Sequence, residues 1–304
     1  MASSLANRIS RYKYLYFLMS FGILYYIVFK YLPMFGIFIA FKDYKPWRGI
    51  FASEWIGFYH FTRFFKSVYF VRLLTNTLTI NIGKLLIGFP FPIIFALLLN
   101  EVRRRRFKSI VQTVSYLPHF LSWVIAGGFF ISILSPSSGI VNHAIVALGG
   151  EPIHFMQDPA YFKPIVIISS VWKEFGWGSI VYLAAISGLD SEMFEAARLD
   201  GASRWQEITR ITIPSIVPII VVLLILNLGK VLNDDFEQIL FMLQDNPILY
   251  EAGDVIETYV YRVGVQGGDY SFATAVGLFK NFIGLVLVLS VNWIAKKLGQ
   301  EALW

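Results

Sequence analysis

Two groups of residues in this chain can do chemistry. The first is Glu195-Ala196-Ala197 followed by Asp200-Gly201-Ala202. Glu195 and Asp200 offer charges to a partner's Arg or Lys, and the two alanines give a flat face that another backbone can approach. The second is a set of cations within apolar segments: Lys84, Lys173, Lys230 and Lys280, with Glu174 beside Lys173. A charge at the centre of a membrane-crossing helix costs about 2.5–3.5 kcal/mol on insertion scales, so it points to function by default. Amines, the amides Asn227 and Asn281, and the indoles Trp172 and Trp177 together suit an anionic sugar whose rings stack on tryptophan. Lys84, Trp172, Lys173, Glu174, Trp177, Asn227, Lys230, Lys280 and Asn281 are therefore candidates for a substrate path. Each also has a structural reading. Lys173 and Glu174 can pair with neighbouring helices, Lys230 can snorkel to an interface, and the tryptophans can pack between helices. Asp234 and Asp235 read as part of an external, solvated loop.

Covalent chemistry has little to stand on. Ser170-Val171-Trp172-Lys173 fits the S-x-x-K pattern of acyl-transfer enzymes, but no supporting motif accompanies it. His60, His119, His143 and His154 are scattered, without metal-ligand spacing. The chain has no cysteine, which excludes disulfides and thiolate metal sites. No G-x-x-x-x-G-K-[ST] occurs, and Gly83-Lys84-Leu85 is no substitute, so the chain cannot hydrolyse ATP unaided.

The elements that must position these residues are membrane helices. Of 304 residues, 56% are hydrophobic and 15% charged, against about 25% charged in a soluble domain. Mean hydropathy is +0.61. Six segments are long and apolar enough to cross a bilayer, about 14–41, 72–99, 109–133, 164–187, 212–232 and 271–295. The fold expected is all-α, one membrane domain over 1–304. Lys30 and Pro33 interrupt the first span, and Pro118 and Gly127-Gly128 lie in the third. On the second span Lys84 shares a polar face with Thr77, Asn81 and Gly88.

The net charge of +6 comes from bases clustered beside apolar segments, which sets membrane orientation rather than nucleic-acid binding. Arg8, Arg11 and Lys13, the run Arg103 to Lys108, Arg198, Arg204 and Arg210, and Lys296-Lys297 fall on one side. With six spans, both termini face the cytoplasm. The first segment is too long for a signal peptide. Phe58 to Arg72 reads as an interfacial helix, and 233–270 as an acidic external loop.

Between the fourth and fifth spans, 190–213 reads as a short helix–turn–helix. Asp190 and Ser191 can cap the first helix, Gly201 stops it in a left-handed turn, and Ser203 with Gln206 makes a capping box for the second. A DNA-reading role fails, because 191–211 balances acids against bases and both ends are tied to spans.

Glu195-Ala196-Ala197, Asp200-Gly201-Ala202 and Ile211-Thr212-Ile213-Pro214 resemble the EAA loop of ATP-binding-cassette (ABC) importer permeases. Tyr44-Lys45-Pro46, Ser115 to Phe120, Trp172 to Leu183, Tyr259 to Arg262, Ser271 to Phe279 and Leu303-Trp304 resemble the oligosaccharide branch of that family, which includes alginate and polygalacturonate importers and, more distantly, the maltose importer. The resemblance implies a type I permease fold with a cytoplasmic coupling helix, in which Glu195, Ala196, Ala197, Asp200 and Gly201 meet an ATPase. It implies a second, different permease chain, two ATPase subunits carrying ATP and Mg, and an external solute-binding protein docking on 42–72, 134–163 and 233–270. It also implies a bacterial cytoplasmic membrane and no cofactor in this chain. The intramembrane lysines favour an acidic, uronate-type sugar. The competing reading is an ATP-independent transporter or channel for an anion; a membrane-embedded hydrolase ranks third.

Overall fold

The computed structural model describes residues 11–229, 231–232 and 235–297. Arg8, Lys230, Asp234 and the closing Leu303-Trp304 lie outside them. The described residues are helical apart from loops and one two-residue hairpin, and they form two compact units. By length and composition, four helices can cross a membrane: Lys13–Phe41, Tyr69–Asn100, Arg204–Leu228 and Tyr270–Ile294. A fifth forms if the bent pair Arg105–Phe120 and Trp123–Ile133 counts as one. The helix Pro159–Ser187 has 29 residues, about 43 Å at 1.5 Å per residue, but Lys163, Lys173 and Glu174 interrupt its apolar run.

The first unit comprises described residues within Met1–Ser67 and Val260–Phe279. Its long N-terminal helix changes character at the interrupted stretch, running as a π-turn over Ile27–Tyr31 and a 3₁₀ stretch over Leu32–Phe41. Strands Lys42–Asp43 and Glu54–Trp55 then pair antiparallel, and Phe41 stacks on Trp55. Ser53 closes the hairpin: its hydroxyl donates to the Gly49 carbonyl at 2.7 Å and accepts from the Lys45 amide. The expected interfacial helix is shorter than the sequence suggests, Tyr59–Phe65. It is tied down by Arg63, which meets Asp269 at 2.7 Å and lies over Phe272.

The second unit holds both sets of candidate residues, as far as they are described, within Val68–Tyr259 and Lys280–Trp304. Pro159–Ser187 runs through it, capped by Asp158, whose carboxylate accepts the Ala160 amide at 2.8 Å. It packs on Tyr69–Gly88 and Pro90–Asn100. Ala96, Leu99, Tyr182, Leu183, Ile186 and Ile216 form one core at that end. Gly176 lets the backbone of the neighbouring helix come close, because a Cβ there would strike the Ser115 carbonyl.

Two expectations are corrected here. The third span, read as running through 109–133, is broken: its halves meet at 104°. Pro118 sits in a 3₁₀ turn, Leu121 is extended, and Ser122 caps a new helix by accepting the Ile125 amide. The segment 233–270 is also not simply a solvated loop. Its helix Phe236–Leu243 buries Ile239, Met242 and Leu243 against Ile80, Phe130, Phe162 and Val166, and Leu249 and Val255 join the same core. Gly127 admits it, since a Cβ there would lie 2.7 Å from the Phe241 ring. The buried polar face of Tyr69–Gly88 holds the rest. Asn76 donates to the carbonyls of Glu251 and Asp254, and the Thr77 hydroxyl accepts the Ile256 amide.

Gly176→Ala is expected to destabilise the protein by about 1–3 kcal/mol through overpacking, read as a lower thermal midpoint in detergent. Gly128→Ala, whose added methyl meets nothing within 4 Å, should leave the midpoint unchanged.

Candidate functional site

A cavity of about 390 Å³ opens between the helices of the second unit. Asn81, Lys84, Glu174, Trp177, Tyr182, Asn227 and Asp235 give it its polar and aromatic lining. Lys84, Glu174, Trp177 and Asn227 were named from sequence, and the fold brings these four to one wall space. The Lys84 ammonium donates to the Gln238 side-chain oxygen at 2.7 Å and to Asp235 at 3.2 Å. Gln238 is fully buried and is held by its own amide, which donates to the Val166 carbonyl and the Ser169 hydroxyl. Asn227 donates within its own helix, to the Leu223 carbonyl.

The other described candidates lie off this cavity lining. Lys173, 6% exposed, donates to the His119 carbonyl at 2.8 Å and to Glu174 at 3.3 Å, with its amine over the Trp123 ring. It thereby satisfies a carbonyl freed where the third span breaks. His119 joins the same cluster: Nδ1 contacts Glu174 at 2.8 Å, and the ring stacks on Trp177 at 4.6 Å. Trp172 packs against Phe129 and Phe130, away from the cavity lining. Lys280 is buried against Glu257. Asn281 is exposed and lines no described cavity. Among the described residues the cavity wall carries one lysine, Lys84, and two carboxylates, Glu174 and Asp235. Sequence reading missed Gln238 and His119 as partners; their signal is a polar side chain beside an apolar helix with no charge of its own to match.

The stretch 190–213 folds as its caps dictate. Asp190 accepts the Glu192 amide at 2.9 Å and starts the helix Ser191–Leu199. Gly201, at φ +82°, ends it, with Ala202 N–H reaching the Ala197 carbonyl and Gly201 N–H the Arg198 carbonyl, the paired bonds of a Schellman stop. Ser203 and Gln206 form the capping box of Arg204–Glu207. Arg198 does not turn to Glu195 but grips Glu207 with two bonds, 2.9 and 3.1 Å. Arg204 adds a contact to Glu207 and one to Glu101 at 3.9 Å. Outside this lock, Glu195, Ala196, Asp200 and Gly201 are exposed and Ala197 is partly so, while Leu199 and Trp205 are 90% and 73% exposed. No described part of the chain covers that apolar surface.

Residues 88–301 match the family of binding-protein-dependent transport system inner membrane components. The chain belongs to this family, the permease subunits of ABC importers. It is 46% identical to protein LplB of Bacillus subtilis (strain 168), over 97% of this chain and 92% of LplB. It is also 46% identical to YteP of the same organism, a polygalacturonan/rhamnogalacturonan transport system permease, over 96% of this chain and 90% of YteP. A chain of a bacterial ABC transporter involved in the import of the acidic polysaccharide alginate superposes with a TM-score of 0.89 at 44% identity, covering 97% of this chain and 99% of that one. A second structure of an alginate transporter, in complex with an alginate pentasaccharide-bound periplasmic protein, gives the same TM-score at 43% identity.

Two outcomes are expected for the permease. Lys173→Met leaves the His119 carbonyl unmet and should destabilise by about 1.5–3 kcal/mol; Asn227→Ala, losing an exposed bond within one turn, should not move the thermal midpoint. Amide exchange of 191–206, corrected for intrinsic rate, should be slow in the wild type and fast in Glu207→Gln, which leaves the Arg198 guanidinium without its carboxylate.

Proposed function

We propose that this chain forms half of the translocation path of an ATP-driven oligosaccharide importer and works by alternating access. The observation that carries the reading is the helix Ser191–Leu199: locked from behind by Arg198 and Glu207, and presenting Glu195, Ala196 and bare apolar side chains. A rigid element with an uncovered apolar face is built to be covered by another protein. That partner is a cytoplasmic ATPase, and Glu195, Ala196, Ala197, Asp200 and Gly201 form this chain's half of the contact. Closure of two ATPases around ATP and Mg moves two such elements together and switches the permease pair between inward- and outward-open states. The chain itself contributes no catalytic residue.

In this reading, 1–304 acts as one permease domain of six spans. Pro159–Ser187 and the two halves of the bent helix complete the set, and both termini face the cytoplasm of a bacterial cell. A different permease chain supplies the other half of the path, and an external solute-binding protein delivers the sugar.

The substrate is an acidic oligosaccharide of the uronate type. Support comes from Lys84 on the cavity wall and from the alginate and polygalacturonan importers among its relatives. Glu174 and Asp235 on the same wall favour a second reading, a neutral oligosaccharide held through its hydroxyls. ATP hydrolysis by the reconstituted complex with its binding protein decides between them: stimulation by galacturonate oligomers supports the first, and stimulation by neutral oligomers alone supports the second. Glu195→Lys or Gly201→Val should remove the ATPase subunit from the purified complex while the two permease chains still co-elute. Retention of a stoichiometric ATPase would overturn the docking assignment.

A further inference from the structure

We propose that Asp235 is a built-in stand-in for the substrate's carboxylate: it holds the Lys84 ammonium while the cavity is empty and gives it up to an incoming uronate. The inference rests on the acidic-sugar reading and adds to it a named anchor and a mode of exchange.

The two partners of Lys84 are unlike each other. Gln238 is fully buried, and its side-chain amide is pinned by Val166 and Ser169. It stays, and it fixes where the amine sits. Asp235 is the opposite case. Its side chain is 46% exposed while that of Lys84 is 13% exposed, and it precedes the helix Phe236–Leu243 rather than lying within it. The lysine is thus the fixed half and the aspartate the half that can swing into water. Both line the same cavity.

This arrangement answers two physical demands. A lone ammonium on an apolar helix is costly, so the empty cavity needs a counter-ion. A transport site must also bind weakly enough to release its cargo. Exchanging one carboxylate for another meets both, since the desolvated pair is conserved and only the identity of the anion changes. A neutral sugar has no charge with which to displace Asp235, so the exchange discriminates by charge. Among the described residues, the other intramembrane lysines do not offer this. Lys173 is committed to a backbone carbonyl and Lys280 to a carboxylate away from the cavity lining.

The test is calorimetric titration of the detergent-purified transporter complex, without its binding protein, with a galacturonate trisaccharide and with maltotriose. If Asp235 occupies the amine for all but about a tenth of the time, Asp235→Asn lowers the apparent dissociation constant for the uronate about tenfold and leaves maltotriose unaffected. Lys84→Met and the double variant Lys84→Met/Asp235→Asn should both lose uronate binding, while Lys84→Arg retains it, which separates charge from folding. An unchanged uronate constant in Asp235→Asn overturns the exchange, as does an equal change for both sugars, or uronate binding that survives Lys84→Met. Absence of uronate binding in both the wild type and Asp235→Asn overturns it too. A wild-type complex that binds maltotriose but not the uronate refutes the acidic-sugar reading itself, a result distinct from failure of the variants.

Discussion

An ammonium group on an apolar helix has to be met by an acceptor from another segment, because hydrocarbon supplies none. Much of the architecture of the second unit follows from that requirement. Lys84 is met by Gln238 and Asp235, Lys173 by the His119 carbonyl and Glu174, and Lys280 by Glu257. Two of these three sets of partners come from 235–257, the segment between the helices Ile213–Leu228 and Tyr270–Lys297. That segment folds back against the helices instead of standing in solvent, and its apolar side chains then complete a core with Ile80, Phe130 and Phe162. Charge pairing and burial act in the same direction, which gives the fold-back one register.

The break in the third span belongs to the same logic. Pro118 removes an amide from the ladder, and the turn that follows exposes carbonyls that an apolar setting leaves unsatisfied. Lys173 meets one of them at His119. His119 then stacks on Trp177 and contacts Glu174, both of which line the cavity. Structural and cavity-lining groups are therefore contiguous, one helix turn apart on Pro159–Ser187. A cluster that repairs a helix break also forms part of the cavity wall.

What the sequence made legible was local. The caps at Asp190, Gly201 and Ser203–Gln206 were read from residue type and spacing, and each is present with the bonds expected of it, because a cap is decided within five residues. Four of the apolar segments were legible for the same reason. What was not legible depends on residues far apart in sequence. Lys84 and Gln238 are 154 positions apart, and nothing in either segment announces the other. The partner of Arg198 likewise lies beyond its own helix: Glu207, past the turn, is buried and offers two aligned oxygens. Trp172 and Trp177 read alike as indoles in one span. Only their neighbours separate a packing residue on Phe129 and Phe130 from one that lines the cavity.

Force applied at an exposed loop moves a transmembrane helix only if the path between them is stiff. The loop 190–213 is stiffened at three levels. Its first helix is capped at both ends, so it does not fray. Its turn is set by a glycine whose backbone conformation a β-branched residue rarely adopts. Its two helices are clamped by a bidentate arginine–carboxylate pair, the geometry that restricts relative rotation most. Glu207, the buried member of that pair, leads directly through Ile208–Thr212 into Ile213–Leu228, and Arg204 reaches from the same turn to Glu101 at the end of Pro90–Asn100. Ser191–Leu199 is thus tied to one helix through Glu207 and lies beside the end of a second, and both contribute residues to the cavity, Asn227 from one and Pro92 from the other. The lock and the cavity thus share two helices, with Glu207 at the foot of one and Arg204 beside the end of the other.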